Sequence, residues 1–181
     1  MTSSPTDRRR RELLLGEWAC LGILYDGPTH GFAMASKLRP GGELGRVWSL
    51  SRALTYRSLD QLAERGLIRA VGEEPGIAGG NRTVLAATPA GRDQLRRWLA
   101  MPVEHLRDLR SELLLKLVIA DCCGIDATPM LQHQRKIVSG LADAIAAETH
   151  DDGGTDVVML WRHETAEAAL RFLDQLPTRR R

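Results

Sequence analysis

A mainly α-helical chain with a small β wing is predicted, on three observations. Apolar residues recur at helical spacing over most of the 181 residues. A single region, residues 67–87, has the composition of strands, and Pro75-Gly76 and Gly79-Gly80 interrupt it. Start and stop signals fall in the order helix, helix, helix, hairpin, then helices to the end.

The first helix is expected over Glu12 to Tyr25, with Leu14, Leu15, Trp18, Leu21 and Leu24 on one broad stripe, and Asp26-Gly27-Pro28 breaks it. A second helix runs from about Thr29, as N-cap, to Leu38. Pro40-Gly41-Gly42 and Gly45 then loosen the chain. Ser49 or Ser51 caps a third helix that stops at Gly66. Its apolar face is read as Leu54, Ser58, Leu59, Leu62 and Ala63, and its opposite face gathers Arg52, Tyr56 and Arg57. Leu67 to Val71 is a short strand, Arg82 to Ala87 the returning one, and Thr88-Pro89 an N-cap followed by proline at the first helical position.

Helix, helix, helix, hairpin is the order of a winged helix-turn-helix. In that arrangement the third helix enters the DNA major groove, so its outer face must carry hydrogen-bond donors. Arg52 and Arg57 can bond phosphate or guanine, and Tyr56 can reach a phosphate or pack on a base methyl group. Asn81 and Arg82, beside flexible glycines, can lie along a neighbouring backbone or minor groove.

Charge divides in the same sense. Residues 1–100 hold 15 Lys and Arg against 10 Asp and Glu, whereas residues 101–181 hold 10 against 13. A basic front half fits a polyanionic partner, and the rear half does something else.

Three helices are legible in the rear half. Residues 104–121 carry Leu106, Leu109, Leu113, Leu117 and Ala120. Residues 129–149 place Leu131, Val138, Leu141 and Ile145 near a seven-residue repeat. Residues 156–176 carry Val158, Trp161, Thr165, Phe172, Leu173 and Leu176. The last two read as an antiparallel hairpin, and helices this apolar point to packing across a two-fold axis. The expected dimer interface is therefore Leu131, Val138, Leu141, Ile145, Val158, Trp161, Phe172 and Leu173. The expected division is a flexible basic arm (1–11), a winged-helix DNA-binding domain (12–100), a helical dimerisation domain (101–176) and a basic tail (177–181).

Other chemistry has little footing. No apolar run approaches the roughly 18 residues of a membrane span. No signal-peptide cleavage site follows the basic N-terminus. Cys20, Cys122 and Cys123 form no disulfide framework, so reduced thiols in the cytoplasm are expected. Cys122, Cys123, His133 and His150 are types that ligate soft metals, but they lack Cys-x-x-Cys or His-x-x-x-His spacing, and no metal or cofactor is expected. There is no phosphate-cradling glycine loop, G-x-S-x-G or His-Glu-x-x-His, and no enzyme is expected. Trp18, Trp98 and Trp161 are ordinary core residues in one reading and the lining of an effector pocket between the two halves in the other.

Three stretches resemble the PadR family of transcriptional regulators. GPTHGFAMASKL (27–38) is similar to the family's GP-x-HGY segment, with Phe32 where tyrosine is usual. WSLSRALTYRSLDQLAERGLI (48–68) is similar to its recognition helix, with Leu54 and Thr55 in swapped order ahead of Tyr56. NRTVLAATPAGRDQLRRWL (81–99) resembles its returning wing strand and T-P-x-G-R helix start, without the usual aromatic residues of that strand. The resemblance implies a homodimer that represses by occupying operator DNA and is released by a small-molecule effector. The residues expected on DNA are Thr29, His30, Ser51, Arg52, Thr55, Tyr56, Arg57, Asn81 and Arg82, on an inverted-repeat operator. The alternative from another class is a winged-helix protein-interaction module without sequence-specific DNA binding.

Overall fold

The computed structural model describes residues 12–76, 80–151 and 156–176. The expected arm and tail and Gly79 of the hairpin lie outside those residues, as does the side chain of His150.

Helix α1 (Leu15–Asp26) opens where the Glu17 carboxylate accepts from the Leu14 backbone N–H at 2.9 Å. It is apolar on nearly every side, and Gly16 through Leu24 are all buried. Such a helix belongs in the middle of a core, not on its rim. Leu14, expected on its inner stripe, precedes the helix and is exposed.

A two-residue strand, β1 (Thr29–His30), comes before α2 (Gly31–Leu38). The expected Thr29 cap is thereby displaced: Thr29 pairs with Leu85, and His30 caps the helix, its Nδ1 accepting from Ala33 N–H at 3.1 Å. Helix α3 (Arg52–Glu64) is capped by Ser51, whose Oγ accepts from Leu54 N–H at 3.2 Å. Its inward side chains are Thr55, Leu59 and Leu62, with Ser58 half-buried. Leu54 and Ala63, expected inside, are exposed instead. Thr55 tolerates burial because its hydroxyl donates to the Ser51 carbonyl at 3.0 Å. Gly66 ends the turn after α3 with φ of +67°, in the left-handed region.

Strand β2 (Ile68–Pro75) extends four residues past the expected Val71, through Glu73 and Glu74. It pairs antiparallel with β3 (Asn81–Ala87), giving a sheet of order β1-β3-β2 with an irregularity at Val71, between Ala70 and Gly72. Helix α4 (Pro89–Ala100) starts as the Thr88-Pro89 signal predicts. The Thr88 hydroxyl accepts from Gly91 N–H at 3.1 Å and donates to the Gly66 carbonyl at 2.8 Å. A Cβ at Gly91 would stand 2.1 Å from the Leu67 carbonyl oxygen, so only glycine lets α4 leave the sheet this closely.

The rear half begins with a short turn, α5 (Leu106–Asp108), a π-helical turn over Leu109–Leu113, and α6 (Leu114–Cys122). Leu115 and Ile119 of α6 are buried in the same core as α1, α3 and α4, so packing continues across residue 100. Helices α7 (Thr128–Asp151) and α8 (Val157–Gln175) form an antiparallel hairpin. Arg135 meets Asp174 at 2.7 Å, and Arg162 meets Glu148 at 3.9 Å, at its two ends. Its inner seam includes Val138, Ile145, Ala166 and Leu173. Gln134, fully buried on α7, accepts from Val103 N–H at 2.7 Å and donates to Val103 C=O at 2.9 Å, tying the chain after α4 to the hairpin. Among the described residues, no helix is long and apolar enough to cross a membrane.

Candidate nucleic-acid interface

Three elements meet around Phe32. The His30 cap starts α2 just before it, so the ring stands half exposed at the helix's first turn. The Arg52 guanidinium, from the first residue of α3, lies 5.5 Å from the ring centroid, and that of Arg82, near the start of β3, lies 5.1 Å from it. Arg52 also lies 5.8 Å from the Tyr56 ring. Tyr56 packs on bare backbone: a Cβ at Gly31 would stand 2.8 Å from its ring. The glycine of the GPTHGF stretch thus makes room for the tyrosine of α3, a link that neither residue discloses alone.

This assembly is cationic and aromatic, and its arginines are uncommitted. Among the described residues, Arg52, Arg57 and Arg82 take part in no salt bridge. Guanidinium groups without carboxylate partners, held against aromatic faces, keep their donors for an incoming acceptor. His30, accepting on Nδ1, carries its proton on Nε2 when neutral and is half-buried.

The remaining expected contacts divide. Ser51 and Arg57 are exposed at the start of α3, beside Arg52 and Tyr56. Thr55 is not available: it is fully buried, with its hydroxyl satisfied inside the helix. Thr29 is half-buried in β1. Asn81 is exposed, but its amide donates to Glu73 across the hairpin at 2.7 Å. Glu73 and Glu74 are both exposed on β2, so the wing carries acid beside Arg82 that the expected shorter strand left out of account. Phe32 was absent from the expected set. Its signal was an aromatic residue two positions after the capping histidine.

The three tryptophans do not converge. Trp18 and Trp98 stack with centroids 4.6 Å apart and planes 7° from parallel, both buried. Lys116 places its Nζ 4.9 Å from the Trp98 ring, donates to the Met101 carbonyl at 2.7 Å and pairs with Glu112 at 2.8 Å. Trp98 Nε1 donates to Glu112 at 3.2 Å. This pair fills its own space, leaving no slot between the rings. Burial lowers the Lys116 pKa, against the pull of Glu112. Trp161 lies elsewhere, exposed on α8 beside a cavity of about 480 Å³ with Arg107, Arg110 and Arg162.

The adjacent thiols of Cys122 and Cys123 have different hydrogen-bond partners. Cys122 donates to Glu43 at 3.5 Å, and Cys123 to the Gly22 carbonyl at 3.6 Å. Burial, and then Glu43, raise the Cys122 pKa; burial, and then Asp26, push Cys123 up to about 11. Neither environment favours the thiolate that metal binding or redox chemistry needs. His133 is exposed on α7.

Of the eight residues expected at a dimer interface, Val138, Ile145 and Leu173 are buried inside the protomer's own hairpin. They are satisfied there and cannot also face a partner. Leu131 and Leu141 are half-buried. Val158, Trp161 and Phe172 are exposed on α8, with Ala168 between them at helical spacing.

The chain is similar to Bacillus subtilis PadR in complex with operator DNA, at 18% identity over 87% of this chain and 95% of that one, with a TM-score of 0.46. It is similar to Bacillus subtilis PadR alone at 17% identity over 96% of this chain and 95% of that one, with a TM-score of 0.41. No curated protein matches. Residues 20–97, which run from α1 through the hairpin into α4, match the model of the transcriptional regulator PadR-like family. This segment, which holds Phe32, Arg52, Tyr56 and Arg82, is similar to the PadR-like family of transcriptional regulators.

Proposed function

We propose that the protein is a sequence-specific DNA-binding repressor that works as a homodimer in the cytoplasm and is released by a small-molecule effector. The observation that carries the DNA reading is the junction of Arg52 and Arg82 around Phe32. It gives α3 and the hairpin one shared cationic front, with Arg57 beside it and no salt bridge to neutralise it among the described residues. Helix α3 inserts into the major groove, with Arg52, Tyr56 and Arg57 toward bases and phosphates, and the hairpin follows the adjacent backbone.

Dimerisation uses the exposed stripe of α8. Two recognition helices related by a two-fold axis read an inverted repeat whose half-sites are about 10 base pairs apart, or a multiple of that. An effector acts by population shift, favouring a separation of the two helices that no longer fits successive grooves.

Duplex binding measured across salt concentration tests the reading. Counterion release makes log affinity fall linearly with log salt, steeply when several phosphates are neutralised. The protein-interaction module would instead leave the duplex bound weakly, without preference for the DNA upstream of its own coding region. Footprinting on that DNA separates the two: a protected inverted repeat is expected, and none would sink the repressor reading.

A further inference from the structure

A second cationic place lies away from Phe32, where the loop before α3 meets the rear half. Val47, Trp48 and Ser49 form one wall of a cavity of about 460 Å³, and Arg107, Arg110 and Ser111 form the other. The residues that line it include two arginines and two serines, and no carboxylate residue is among them. Arg107 touches Asp108 only at 3.8 Å, with its side chain mostly exposed. Arg110 takes part in no salt bridge among the described residues.

Two further features mark the place as built. The indole N–H of Trp48 is a buried donor with no acceptor, the one such side-chain atom among the described residues. A buried donor without a partner is destabilising, so it normally has a reason to persist. Arg110 and Ser111 also lie on the π-helical turn Leu109–Leu113. A π turn inserts a residue into a helix at some cost in hydrogen-bond geometry and is frequent at functional sites.

We propose that this cavity binds a small oxyanion, inorganic phosphate or a phosphate monoester, between Arg107 and Arg110. A tetrahedral oxyanion supplies acceptors to both guanidinium forks and to the hydroxyls of Ser49 and Ser111. Bound there, it joins the residues just ahead of the Ser51 cap of α3 to the π turn of the rear half. The site goes beyond the DNA-binding reading and does not depend on it. The same oxygen chemistry is offered by the phosphodiester of a duplex, so the test must separate free from polymeric phosphate.

The full chain is melted with increasing inorganic phosphate, ionic strength being held constant with chloride and DNA left out. A ligand that binds only the folded state raises Tm in a saturable way. Wild type is expected to show that rise. Arg107→Gln/Arg110→Gln should lose it while melting cooperatively with unchanged circular dichroism. A wild type indifferent to phosphate, or a double variant that responds equally, overturns the proposal. In phosphate-free buffer the double variant should bind operator duplex as wild type does. A loss there, without any response to free phosphate, would make the pair a DNA contact and overturn the free-ion site. Absence of all duplex binding would sink the repressor reading and leave the phosphate titration standing.

Discussion

Arg52 and Arg82 rest on one ring: their guanidinium carbons lie 5.5 and 5.1 Å from the centroid of Phe32. One belongs to α3 and the other to β3, so the ring bridges the helix and the hairpin at the surface proposed to meet DNA. Each cation–π contact at an exposed site is worth about 0.5–1 kcal/mol. Its larger effect is to spare two long side chains an ordering cost when they bind.

Replacing Phe32 with alanine should therefore weaken operator binding by about 1–3 kcal/mol, the ordering cost of two long side chains, although alanine removes no hydrogen-bonding group. Thermal stability should change little, because the ring is half exposed. Fluorescence anisotropy with a labelled operator reads the effect. Wild-type affinity in a folded Phe32→Ala protein would show that the ring organises nothing.

The two arginines should fail in different ways. Arg52→Ala is expected to cost about 1–3 kcal/mol on the operator, with relaxed preference at one base position, if its fork reads a guanine. Arg82→Ala should weaken operator and random duplex alike and reduce the salt slope by about one, as loss of a phosphate contact does. Identical signatures for both variants would mean that α3 and the hairpin are not divided between base and backbone.

What the sequence disclosed and what it hid follow from how local each signal is. Thr88-Pro89 was readable because cap and fixed φ both act within three residues, whereas the close approach of Gly91 to Leu67 is long-range and was not. The phase of α3 was not. Leu54, Ser58, Leu59 and Leu62 make a plausible inner face, and so do Thr55, Leu59 and Leu62. One residue is a rotation of about 100°, and the side that met α1 was decided by tertiary packing and by a threonine able to satisfy its own hydroxyl. Thr55, expected on the DNA face, consequently lies in the core. The acid on the wing was visible as Glu73-Glu74, but the strand's length decides whether it flanks Arg82, and pairing to β3 sets that length. Gln134 holding the backbone of Val103, thirty-one residues away, leaves no pattern in either stretch. Dimer residues were over-assigned for a similar reason. A heptad-like run does not say whether its seam closes on the neighbouring helix or on another chain.

Lys116 makes a pH prediction with a definite sign. Burial holds its pKa below the ordinary lysine value of 10.5. Between that lowered value and 10.5, the unfolded chain keeps a proton that the folded chain has released. Stability then rises with pH across this window, where the unfolded state binds more protons. Lys116→Met should remove this contribution, flattening the urea midpoint of the variant relative to wild type as pH increases toward 10.5. An unaltered slope in the variant would mean that Lys116 does not titrate differently in the two states.

Val158, Trp161, Ala168 and Phe172 fall three, seven and four residues apart, which keeps them on one side of α8. Ala166 and Leu173 point the other way, into the hairpin. Asp at position 173 would therefore unfold the protomer and say nothing about a partner. Phe172 borders an apolar groove of about 270 Å³ formed with Leu109, Leu113 and Leu114 of the preceding helical stretch, which gives a partner's side chains somewhere to go. Trp161→Asp and Phe172→Asp place a charge where a partner would bury it, at a cost of several kcal/mol in the dimer and little in the exposed monomer. Sedimentation should report monomer for both variants, circular dichroism should stay helical, and heat denaturation should stay cooperative. A monomer engages one half-site at a time and forgoes the effective concentration that joins two, so operator affinity should fall by a factor on the order of 100 or more. A folded monomer with wild-type affinity would break the link between α8 and DNA binding. A dimer that survives both substitutions would move the interface off this helix face altogether.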